Sequence, residues 1–255
     1  MSTDPHPASR PQLILIPGLL NDAGLWRDQL TGLAGLADCR VADITRGESM
    51  QALADSVLAD AAPTFALAGF SLGGYVAQEI ARRAPQRIER LALLDTAIRP
   101  DTPARAALRR SHEQLVRLQG IFNAFGDRML DTYLAAANRH DEALIGRIRA
   151  MTSRLGSEVF LCQSGLVRED GAAVLQSLDC PLLIACGEQD LLTPLAAHRE
   201  MAALNPRARL VVIPDSGHLA PMENPSAVTQ ALADWLQEPG EPRRPGVSHA
   251  RQTPV

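Results

Sequence analysis

The sequence predicts an α/β protein, a doubly wound and mainly parallel sheet of about six strands interrupted by one helical insertion. Three observations lead there. Short apolar runs alternate with longer amphipathic stretches along most of the chain. The short runs are continuously apolar, as strands become when helices cover both faces of their sheet. One segment, 98–178, breaks the alternation and carries helical spacing only.

Taken in order, Leu13-Ile14-Leu15-Ile16 reads as a buried strand that Pro17-Gly18 ends. A helix at 26–36, a strand at 40–44 and a helix at 50–61 follow. The run 64–69 is a strand, 72–84 a helix and 91–94 a strand. After the insertion come a strand at 181–186, a helix at 194–204, a strand at 210–213 and a helix at 226–236. Within the insertion, 108–118, 129–137, 142–151 and 159–167 show apolar positions at helical spacing with charged residues between them. The expected organisation is a core of 11–97 and 179–238, with 98–178 as a cap over the carboxyl ends of the strands. The Pro-rich, polar segments 1–10 and 239–255 are expected to be disordered tails.

Composition excludes several functions. A net charge of −4 and a pI near 5.9 give no support to a nucleic-acid partner. All 25 basic residues are arginine, so Schiff-base and pyridoxal phosphate chemistry and the P-loop lysine are ruled out. Cys39, Cys162, Cys180 and Cys186 are scattered without metal-ligand spacing, which predicts a reduced, cytoplasmic protein and no metal site. No signal peptide and no apolar run of membrane-spanning length is present, so no membrane partner is expected.

The chemistry concentrates in Leu67-Ala68-Gly69-Phe70-Ser71-Leu72-Gly73-Gly74-Tyr75. A Gly-x-Ser-x-Gly between a strand and a helix is the setting of a nucleophile elbow, where a sharp turn exposes the serine and tolerates no bulk beside it. A Gly-rich turn whose serine caps the helix is the plainer alternative. A nucleophilic serine needs a base. His6 and His249 lie in the tails, His112 and His140 in the insertion, and His198 in a helix. Only His218 follows a strand directly, on a loop beside Gly217. The acid that orients it is expected at a strand end. Asp190, just past 181–186, is the first choice and Asp95, ending 91–94, the rival; Asp190 is equally placed to close an Asx turn.

The order Ser71, Asp190, His218 resembles that of the α/β-hydrolases, from about Leu13 to Leu236. Gly187-x-x-Asp190-x-x-x-Pro194, and Gly217-His218 followed by Met222-Glu223-Asn224-Pro225, carry the resemblance further. Pro17-Gly18 stands where the family usually has His-Gly, and the family's N-terminal hairpin has no counterpart. The resemblance implies an oxyanion hole of two backbone N–H groups, those of Leu19 and Leu72. It implies a serine hydrolase that cleaves a small carboxylic ester or related acyl substrate through a covalent acyl-enzyme, with no cofactor. Thioester, carbon–carbon and lactone hydrolysis and perhydrolysis use the same machinery, and so does a low-turnover ligand sensor. The insertion offers no argument for an anionic substrate, because eleven arginines face nine acids between Arg99 and Asp170.

Overall fold

The computed structural model describes residues 10–119 and 127–239. Six strands, β1 (Gln12–Ile16), β2 (Asp38–Val41), β3 (Phe65–Phe70), β4 (Ile88–Leu94), β5 (Leu182–Gly187) and β6 (Ala208–Ile213), form one sheet in the order β2-β1-β3-β4-β5-β6. Every neighbouring pair is parallel. The helices are α1 (Arg27–Leu33), α2 (Met50–Ala59), α3 (Leu72–Arg83), α4 (Pro103–Gln119), α5 (Asp127–Tyr133), α6 (Glu142–Ser164), α7 (Ala172–Ser177), α8 (Leu195–Ala203), α9 (Ala220–Glu223) and α10 (Pro225–Gln237). The expected tails fall outside the described residues, apart from Arg10 and Pro239.

Alternation along the strands builds two cores. Leu13, Leu15, Ala92, Leu94 and Leu183 face α1 and α10, where Leu33, Leu232 and Trp235 meet them. Ile14, Ile16, Leu91, Leu93 and Ile184 face the other way, onto Leu53, Val76, Ile80, Leu175 and Met201. Each such side chain removed from water contributes about 1.5–3 kcal/mol, which is why β3 and β5 are apolar at every position. The chain winds outward from β1 to β2, then crosses back to β3 and continues to the opposite edge. Adjacent β1 and β3 therefore send their connections in opposite directions, and the crevice at their carboxyl ends is where such sheets bind ligands. Pro17-Gly18-Leu19 and Ser71 lie at those two ends.

Local chemistry explains where the elements differ from expectation. β2 starts and ends earlier than 40–44, because the Asp43 carboxylate accepts from Thr45 N and Oγ1 and turns the chain there. The two expected helices 142–151 and 159–167 belong to one element, α6, broken only at Gly156, whose φ of 74° and ψ of −175° form a kink. The segment 129–137 is split into α5 and a short 3₁₀ turn, Ala136–Asn138. α7 and α9 are too short to show a period, yet Val174, Leu175 and Leu178 pack into the second core. Among the described residues no helix is long and apolar enough to cross a membrane.

Candidate active site

Ser71 sits between β3 and α3 with φ 49° and ψ −114°, a backbone conformation a non-glycine residue adopts only under constraint. The constraint is visible. Ser71 N donates to Leu94 O at 3.0 Å, and Thr96 Oγ1 donates to Ser71 O at 2.7 Å. A Cβ on Gly69 would strike the Gly73 carbonyl, and one on Gly73 would strike the carbonyls of Ile16 and Pro17. Because those atoms are backbone, Gly73→Ala is expected to destabilise the protein by about 2–3 kcal/mol, read as a lower urea midpoint.

The structure brings Ser71, His218 and Asp190 together. His218 Nε2 lies 2.9 Å from Ser71 Oγ, and His218 Nδ1 lies 2.9 Å from Asp190 Oδ2. Asp190 Oδ1 accepts from Leu192 N and Thr193 N at 2.8 and 3.0 Å, while Thr193 Oγ1 donates to Oδ2 at 2.6 Å. The Asx turn and the contact with His218 are thus two uses of one carboxylate. Burial pushes the Asp190 pKa up, but the His218 charge, the His218 hydrogen bond and the Thr193 donors outweigh it and hold it at about 2. An ionised carboxylate only accepts, so Nδ1 carries the imidazole proton and Nε2 is left to accept from Ser71 Oγ–H.

The His218 loop is tied down from both sides. Glu223 Oε1 accepts from Gly217 N and Leu219 N, and Oε2 accepts from Ala135 N and Asn138 Nδ2. His218 N donates to Tyr133 O at 2.7 Å. The Tyr133 ring meets the imidazole edge-on, with centroids 5.3 Å apart, and Phe70 packs on it at the same separation. Glu223→Ala strips acceptors from four donors at once, and a loss of about 3 kcal/mol in denaturant unfolding is expected.

Asp95 is placed differently. It is 1% exposed, its Oδ1 accepts from Gly187 N at 2.7 Å, and its Oδ2 has no partner. Burial first, then the Asp190 charge, pushes its pKa well up. Asp95, Cys186 and Asp190 do come within metal-ligand reach of one another. The donor set is poor for a cation, since burial also raises the Cys186 thiol and both Asp190 oxygens already accept hydrogen bonds. His198 is buried on α8. Its Nδ1 donates to Pro194 O and its Nε2 accepts from Thr96 N, and burial lowers its pKa to about 4. It is a neutral brace behind the elbow.

Above Ser71 a cavity of about 330 Å³ is lined from the core by Leu19, Leu72, Thr96 and His218 and from the insertion by Tyr133 and Phe160. Leu72 opens α3, so its N–H has no intrahelical acceptor. The next donor along the first loop, Leu20 N, is engaged by Gln163 Oε1 at 2.8 Å, and Gln163 Nε2 in turn donates to Ile44 O. Leu20 has a φ of 56°, so this anchor fixes a turn that the sequence did not announce. Gln163, Thr96 and Thr193 carry no motif that would have singled them out. Glu223 lay in a recognised pattern, but its role as an acceptor hub depends on a fold contact.

Residues 61–225 match the family model described as the alpha/beta hydrolase fold. A pimeloyl-[acyl-carrier protein] methyl ester esterase of Chromobacterium violaceum is 30% identical over 174 residues, 66% of this chain and 68% of that protein. A thermophilic esterase from Thermogutta terrifontis, solved with malate bound, superposes with a TM-score of 0.79 at 30% identity, covering 89% of this chain and 90% of the other. The enol-lactonase of Burkholderia xenovorans LB400 gives 0.80 at 25% identity, covering 91% and 93%. The parallel six-stranded sheet, the strained serine at its switch point and the family match over more than half the chain place this protein in the α/β-hydrolase family.

Proposed function

We propose that the protein is a serine hydrolase that cleaves a carboxylic ester through Ser71, His218 and Asp190. The observation that carries this is the unbroken hydrogen-bonded chain from Asp190 through His218 to Ser71 Oγ on the floor of the cavity. Ser71 Oγ attacks the ester carbonyl as His218 Nε2 takes its proton. The Leu19 and Leu72 N–H groups hold the oxyanion of the tetrahedral intermediate, each donor contributing about 3–4 kcal/mol in comparable sites. Collapse expels the alcohol, which takes the proton back from His218 and leaves the acyl group on Ser71. Water, deprotonated by His218, then attacks the acyl carbonyl, and the acid departs as Ser71 regains its proton. Asp190 stabilises the imidazolium of both steps.

An activated aryl ester in a stopped-flow instrument tests the reading: a burst of phenolate followed by steady turnover is expected. A burst with no later release of acid would exclude hydrolysis as the function. The oxyanion donor is tested separately. Leu19→Ala keeps the N–H and is expected to change kcat by less than about tenfold, whereas Leu19→Pro deletes it and is expected to lower kcat by about 10²–10³. Equal, mild effects would move the donor to another residue of the loop.

A further inference from the structure

Between Arg99 and Asp170 the sequence balances its charges, but the fold does not. Arg99 is paired with Asp170 and Glu200, Arg147 with Asp28, and Arg154 with Asp22, all away from the cavity lining. The described residues that line the cavity retain three arginines, Arg105, Arg109 and Arg168, against a single carboxylate, Asp101. Arg105 and Arg109 stand one turn apart on α4, and Arg168 reaches in from the segment after α6.

Asp101 takes both oxygens to Arg109 at 2.8–3.1 Å and lies 3.9 Å from Arg105 Nε and from Arg168 Nε. Arg168 is only 7% exposed, with Nη1 directed to the carbonyls of Leu166 and Ser164. Burial, then the neighbouring Arg109 charge, pushes Arg168 down to about 10, against the opposing pull of Asp101 and Tyr75. One carboxylate at the focus of three guanidinium groups leaves a surplus of positive charge in a part-enclosed site, where the field is concentrated. Guanidinium forks pair with planar carboxylates, as Arg109 does with Asp101. The lining also carries apolar side chains, those of Leu19, Leu72, Met129, Phe160 and Leu192.

From this segregation of charge we infer that the cavity takes esters whose acyl part ends in a second, ionised carboxylate, received by Arg105, Arg109 and Arg168 while the ester carbonyl lies at Ser71. Asp101 keeps the guanidinium groups ordered when the cavity is empty. The inference rests on the ester-hydrolase reading for the carbonyl end alone; the arginine end stands on its own geometry.

Binding to the Ser71→Ala protein separates recognition from turnover. Monoethyl glutarate and ethyl pentanoate have the same chain length and differ only in a terminal carboxylate or methyl. Calorimetry is expected to show the glutarate ester binding at least about tenfold more tightly, with the preference shrinking as sodium chloride is raised. Arg105 is half-exposed, so Arg105→Gln should fold, as circular dichroism will verify, and it should reduce the preference severalfold. Adding Arg109→Gln should abolish it. Equal binding of the two esters, or a preference untouched in the double variant, would overturn the inference. Tighter binding of the matching ester that ends in phosphate would overturn the carboxylate assignment. Unsubstituted protein that prefers the glutarate ester but releases no acid from it would instead overturn the hydrolase reading and leave the charge assignment standing.

Discussion

Ser71→Ala is expected to lower ester turnover by about four to six orders of magnitude and to leave the fold intact. Alanine keeps the Cβ, so the strained backbone at φ 49° and its bonds to Leu94 and Thr96 survive. What disappears is the one atom 2.9 Å from His218 Nε2. Residual activity would come from the oxyanion donors and from substrate positioning. A fluorophosphonate should add once to the unsubstituted protein, at Ser71, and not at all to the variant, with both read by intact mass. Labelling that survives the substitution would remove the nucleophile from the proposal.

The second large effect is expected from Asp190→Asn. An amide in that place presents an N–H to Nδ1, which must then accept. The imidazole proton moves to Nε2, and Ser71 loses its base, at a loss of about 10²–10⁴ in kcat. Asp95→Asn is expected to change kcat by less than tenfold. Burial and the Asp190 charge already push the Asp95 carboxyl towards its neutral form, and an amide is close to that in charge and shape. The two carboxyls are thus driven apart by their surroundings, Asp190 held below the ordinary carboxylate value and Asp95 pushed well above it. The sign for stability follows. A folded-state pKa of about 2, below the ordinary 3.8, stabilises the protein at neutral pH, and that stabilisation is lost as pH falls from about 4 to 2. The Asn variant should lack this part of the acid unfolding curve. A larger kinetic loss at Asp95 would reassign the acid and leave the hydrolase reading in place.

The strands that sequence located to within a few residues are those whose runs are apolar on both faces, such as β3 and β5. β2 was displaced because it is an edge strand, and Asp38-Cys39-Arg40-Val41 has no such run. Ser71 and His218, separated by 147 positions, could be paired in advance because each follows a strand and strand ends converge. The supports could not. Gln163 reaches Leu20 N across 143 positions and Glu223 reaches Ala135 N across 88, and no local pattern encodes such an approach. The arginine cluster was hidden by the opposite fault. A tally of charges averages over every surface of a segment, and acids that do not line the cavity balance the arginines that do.

The stitching of residues 133–138 to the His218 loop sets the direction in which molecules must travel. Tyr133 O, Ala135 N and Asn138 Nδ2 are bonded directly to His218 N, Glu223 and Asp215 O, and Gln189 Oε1 fastens Ala136 N as well. Raising that edge of the roof would pull on the imidazole itself, so any doorway there would open only at the expense of the base it serves. At the α4 edge the lining meets solvent through Arg105 and the exposed Leu108, and among the described residues no such bond ties that edge to the base. An incoming anion would then meet its guanidinium partners at the threshold, before its ester reaches the serine. Arrival and release become separable from chemistry, and substitutions along α4 should register first in the rates of entry and exit.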